Sequence, residues 1–132
     1  MADPFPLVRV SVPARPDFVH VLRAVVSSVA SRLEMSFDLV EEVRIAVDEA
    51  STMLLEVAEA GAVLELSIEP QEHGLVATLM ASTDVDGWPN DSVKASWPWR
   101  VMTGLCDEVA LERSPDGPTI RFVKRGGAWA SG

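Results

Sequence analysis

Few residues in this sequence combine a reactive type with a spacing that could do chemistry. Asp84, Asp86 and Asp91 fall close together, and carboxylates so placed could hold a divalent cation. Their spacing fits no calcium loop, and a solvated loop is the reading they favour. His20 and His73 lie far apart and lack Cys or acidic partners at metal-ligand spacing, so both are expected at the surface or at a helix edge. The single Cys106 cannot close an internal bridge. It reads as a small buried hydrophobe on a helix, with an intermolecular disulfide or a redox switch as the alternative. No Ser-His-Asp or Cys-His arrangement is suggested. The most informative segment is Ile45-Ala46-Val47-Asp48-Glu49-Ala50-Ser51-Thr52-Met53, where the carboxylate of Glu49 and the thioether of Met53 stand one helical turn apart and face the same way.

The elements that must carry these residues follow from periodicity. Leu7 to Val12 reads as a strand that Pro13 ends. Pro16 and Asp17 suit a first helical turn, and Phe18, Val21, Leu22, Val25, Val26 and Val29 continue as one apolar stripe to about Leu33. Asp38 and Glu41 have the spacing of a capping box for a second helix, Leu39 to Glu59, which Gly61 stops. From Val63 the period changes to two: Leu64, Leu66 and Ile68 alternate with polar residues, and Leu75 to Ala81 returns as the second strand of a hairpin. Ser82 to Ala95 is an irregular stretch, of a length that is usually functional or mobile. Ser96 caps a third helix through Leu105, and Val109–Arg113 and Thr119–Lys124 close as a hairpin about Ser114-Pro115-Asp116-Gly117. The order β-α-α-β-β-α-β-β predicts an α+β, two-layer sandwich with helices on one face of a mostly antiparallel sheet. One domain is expected over residues 1–132, with a core of about 7–124 and a loose tail at 125–132.

Composition narrows the function classes. A length of 132 residues, 48% of them apolar and 23% charged, is globular and needs no disulfide or metal to fold. No apolar run approaches the ~20 residues that span a bilayer, and Met1-Ala2-Asp3-Pro4 does not begin a signal peptide, so a cytoplasmic protein is expected. Twenty acidic residues against eleven basic ones give a formal charge of −9, which repels phosphate backbones and disfavours direct nucleic-acid binding. The same surface would steer association with a basic protein, or would simply maintain solubility.

At Ala46-Val47-Asp48-Glu49-Ala50 the sequence resembles the anti-sigma factor serine kinases, small members of the GHKL, or histidine-kinase-like, ATPase superfamily. The resemblance extends from about Val8 to Lys124 and includes the ending Leu105-Cys106-Asp107-Glu108-Val109 of the third helix. It implies a Bergerat-type fold. It also implies that Glu49 occupies the general-base position, and that the position of Met53 is held in the family by an Asn that binds the magnesium bridging the nucleotide phosphates. A thioether cannot replace that oxygen for hard Mg²⁺. The family's Asp-x-Gly-x-Gly, which reads adenine, falls on Ser82-Thr83-Asp84-Val85-Asp86-Gly87. Aligned on Asp84, Asp86 takes a glycine position; aligned earlier, Ser82 replaces the Asp itself. The glycine-rich phosphate lid falls on Ser96-Trp97-Pro98-Trp99, where proline removes a donor amide. Trp97 and Trp99 would pack in the core, fill the former nucleotide pocket or form an interface hot spot.

Three damaged nucleotide-gripping elements imply a degenerate kinase with no cofactor, ATP and Mg²⁺ entering only under an enzyme reading. By resemblance, the protein is an anti-sigma regulator of the kind used in stress response and sporulation. It would sequester an alternative sigma factor as a homodimer and be released by a STAS-type anti-anti-sigma protein. Arg9, Arg15 and His20 are then expected near an interface. The alternative is an active ATP-dependent serine kinase that phosphorylates its antagonist. A third reading is an adaptor that binds only a STAS-type protein.

Overall fold

The computed structural model describes residues 6–127. The signal-peptide expectation at Met1 to Pro4 and most of the expected tail, residues 128–132, lie outside them. The elements are β1 (Val8–Pro13), a 3-10 turn at Pro16–Phe18, α1 (Val19–Arg32), α2 (Phe37–Leu55), β2 (Val63–Gln71), β3 (Gly74–Ala81), a one-turn α3 (Asp91–Lys94), α4 (Trp97–Leu105), β4 (Glu108–Ser114) and β5 (Gly117–Arg125). The five strands form one antiparallel sheet in the order β1-β2-β3-β5-β4.

Alternation decides which face of that sheet the helices cover. Leu64, Leu66 and Ile68 of β2 pair with Ala81, Leu79 and Ala77 of β3, and the last two of these pair with Ile120 and Phe122 of β5. All are buried, and they share one core with Leu22 and Val26 of α1 and Val43, Val47 and Leu54 of α2. Slipping β2 by one residue would turn three large side chains outward at roughly 2 kcal/mol each, so the register is fixed by burial. The opposite face shows Arg9, Ser67, Thr78 and Arg121, side by side across four strands.

Several boundaries differ from those the sequence predicts, each for a local reason. Ser36, not Asp38, caps α2: its hydroxyl accepts the Leu39 amide at 3.2 Å, and Glu41 is held by Arg44 at 2.6 Å instead of closing a capping box. At the other end, the amides of Val57 and Ala58 both return to the Leu54 carbonyl, so α2 stops four residues before the expected Glu59. Strand β5 runs to Arg125, and the Gly126 amide donates to the His73 carbonyl at 2.7 Å, so residues 125 and 126 are held where a loose tail was expected. A Cβ on Gly117 would come within 2.0 Å of the Ala81 carbonyl oxygen, so the β4–β5 turn can lie against the end of β3 only with glycine there.

Candidate functional site

Helix α2 carries Glu49 and Met53 on the side where α4 packs. The end of α4 is fixed by Lys124, whose ammonium lies 3.2 Å from Glu42 and donates to the Leu105 carbonyl. Helix α4 packs on α2, and Met102 of α4 is buried in the same core as Met53.

The side chains present there fit a phosphate site poorly. Met53 is 1% exposed and belongs to the same buried cluster as Met102, Trp88 and Val93. At the start of α4 the Ser96 hydroxyl caps the helix by accepting the Trp99 amide at 3.4 Å, and Pro98 has no amide to offer. A buried thioether and a proline-stopped turn do not fit a magnesium-bound nucleotide, which needs hard oxygen ligands and free amides.

The neighbouring groups agree with a dry edge. Glu49 is half-buried, and its carboxyl is raised above the ordinary carboxylate value by desolvation first and by the adjacent Asp48 second. Asp48 is raised as well: burial outweighs the attraction of Arg23 and Arg44. Arg23 Nε lies 3.0 Å from Asp48 Oδ1, yet is itself buried without an aligned hydrogen bond, so this ion pair is imperfect. Burial pushes the Cys106 thiol up to about 11, against the lowering effect of Lys124. A thiol pushed up in this way is a poor nucleophile near neutral pH, which argues against the redox alternative.

The other expected residues are dispersed. Trp97 is 71% exposed, not packed in the core, whereas Trp99 is half-buried against it. Ser82 is exposed and its hydroxyl accepts the Val63 amide at 2.8 Å. Asp84, Asp86 and Gly87 are exposed. The residue that continues the inward alternation of β3 is Thr83, buried, with its hydroxyl accepting the Glu59 amide at 3.1 Å. Neither alignment considered for this stretch uses it, although alternation from Ala77 through Ala81 points to it. Trp88 was missed as well; an indole between Gly87 and Pro89 in a polar loop was the signal. Among the described residues, no group of three or more His, Cys, Asp or Glu side chains could hold a metal ion.

A second region is open. Along α1, Val8, Val21, Ala24, Val25 and Val29 line an apolar groove of about 590 Å³, with His20 and Arg32 at its rim. Beside it, His20, Arg23, Glu41 and Arg44 line a polar crevice of about 330 Å³ between α1 and α2. His20 borders both. Arg15 is exposed, paired with Asp17 at 2.9 Å and stacked 5.6 Å from the Phe18 ring centroid. Arg9 points from the outer sheet face and so does not join His20. A further hollow of about 690 Å³ is bordered by Glu65, Met80 and Asp116 together with Ser82, Asp84 and Arg113, so two of the expected positions, Ser82 and Asp84, share its wall.

This fold and helix pair place the chain in the histidine kinase-like ATPase domain family, to which it belongs: the family's model matches residues 12–124. Within that family it is similar to the anti-sigma-F factor RsbW of Mycobacterium tuberculosis (strain H37Rv), 33% identical over 113 residues, which cover 83% of this chain and 65% of that protein. A shorter match is to the serine-protein kinase RsbW of Bacillus subtilis (strain 168), 42% identical over 45 residues, covering 34% of this chain and 28% of the kinase. The chain thus spans just under two thirds of its longer-matching relative. The crystal structure of the RsbU and RsbW domains of Rv1364c from Mycobacterium tuberculosis shares its fold, with a TM-score of 0.68 at 14% identity over 92% of this chain and 33% of that one. No helix of the described residues is long and apolar enough to cross a membrane.

Proposed function

We propose that this protein is a cytoplasmic anti-sigma regulatory factor that holds an alternative sigma factor by protein–protein contact. On this reading it is released by a STAS-type anti-anti-sigma protein and no longer transfers phosphate. The observation that carries the reading is the burial of Met53 where a metal-binding oxygen would be needed. Glu49 then has no phosphoryl group to act beside, and its raised carboxyl is a consequence of packing. The open α1 region supports the binding half of the proposal. An apolar floor with a polar, ion-paired rim is the usual anatomy of a protein interface. Strand β1 is a free sheet edge next to that floor, and an edge and groove together suit a second copy of the chain, giving a homodimer. The α1–α2 crevice with His20, Arg23 and Arg44 is left for the sigma factor.

The test is capture from the native host with tagged full chain, without and with Mg-ATP, followed by competition against core polymerase. A sigma factor retained equally in both conditions, and withheld from core polymerase, supports the proposal. Recovery of a STAS-type protein alone would favour the adaptor. Transfer of labelled phosphate from ATP to a captured STAS-type protein would establish the kinase instead.

A further inference from the structure

The stretch from Ser82 to Ala95 links β3 to α4 and looks in the sequence like a mobile loop: Asp84, Asp86, Gly87, Asn90, Asp91 and Ser92 are all exposed. It is nevertheless tied down at three places by partners from other parts of the chain, and at a fourth by a cap of its own. Thr83 takes the amide of Glu59, in the connection that follows α2. Arg113 of β4 donates to the Val85 carbonyl. Trp88 is 5% exposed, and its indole N–H donates to the Glu112 carbonyl of β4 at 2.8 Å. Asn90 caps α3 by accepting the Val93 amide at 2.8 Å, which turns Val93 into the core at 4% exposure.

Trp88 does two things at once. Its ring joins the buried cluster that contains Met53, Met102, Leu79 and Ile120, where α2, α4 and the inner sheet face meet. Its N–H also occupies a carbonyl on β4, an edge strand whose open polar groups otherwise invite pairing. We propose that Ser82–Ala95 is a fixed wall anchored by Trp88, which closes this end of the layer between helices and sheet, so that Mg-ATP neither enters there nor changes the segment's order. The protein's grip on a partner is then set by partner competition and not by nucleotide. This extends the reading given under Proposed function, but its test requires no partner.

Hydrogen exchange on the full chain reads it directly. The hydrogen-bonded amides of Ser82 and Val93, and that of Glu59 on Thr83, should exchange at rates close to those of α2, and 5 mM Mg-ATP should leave them within about twofold. Trp88→Ala should lower the Tm by more than about 10 °C, because a large buried ring is deleted. It should also raise exchange across 83–95, and millimolar indole, filling the vacated space, should recover part of the lost Tm. If Trp88→Ala fails to fold, Trp88→Phe keeps the ring but drops the N–H, and should raise exchange at Trp88 and Glu112 neighbours first. Fast exchange at those three bonded amides in the unaltered protein, or a change there on adding Mg-ATP, would overturn the proposal, whatever partner the protein captures.

Discussion

The two long sides of α2 have opposite fates. On the α4 side, Glu49 and Met53 stand where chemistry was expected, and the chain's own side chains fill the space. On the α1 side, Arg23 and Arg44 border an open crevice, and an apolar groove lies beyond it along α1, at residues the sequence marks only through His20. The difference teaches that an inherited motif locates a region without saying whether it is still a cavity. Burial has to be read for that, residue by residue.

The sharpest way to break this contrast is to restore the polar group on the filled side. Met53→Asn puts an amide into a site that is 1% exposed and removes packing volume, so it should destabilise by about 3–5 kcal/mol in urea unfolding, without bringing Mg-ATP binding in calorimetry. Near-neutral stability with recovered binding would mean that the α4 side is an open site after all. Next in size is Lys124→Met. It strands Glu42 and the Leu105 carbonyl, and since Glu42 is partly solvated the cost should be about 2 kcal/mol, with faster exchange at the end of α4.

On the open side, Arg44→Ala should leave stability within about 1 kcal/mol, because its pair with Glu41 is half-exposed. It should nonetheless weaken capture of the partner about tenfold or more in a competition assay. Unchanged capture would move the binding face elsewhere. The smallest effect is expected for Glu49→Gln. A carboxyl raised in the folded state above its ordinary 4.5 adds stability below that pH and loses it as pH rises through the raised value. Glu49→Gln should therefore flatten the fall in stability on going from about pH 4.5 toward neutral, and be neutral or slightly stabilising at pH 7.

Much of the fold was legible because its signals are local and periodic. The alternation Leu64, Leu66, Ile68 gave β2 its inward face, and Ser96 capped α4 as its position suggested. What was not legible depended on distant partners. Nothing near Glu59 says that its amide will be taken by Thr83, and that bond falls where α2 has already ended. Trp97 and Trp99 were natural candidates for filling the site because they sit beside it in sequence. The buried indole is that of Trp88 instead, held by the Glu112 carbonyl on a strand still to come. The alternation rule alone would have preferred Thr83 to Ser82 and Asp84.

The same two indoles have an optical consequence. The chain contains four tryptophans and no tyrosine, so its near-ultraviolet emission comes from indoles alone. Trp88 sits in a dry interior and Trp97 stands 71% exposed at the start of α4. A soluble quencher should therefore dim Trp97 while sparing Trp88. A partner settling over α4 would shield the first colour of light, and an opened wall would redden the second. One unlabelled sample can thus tell docking from loosening.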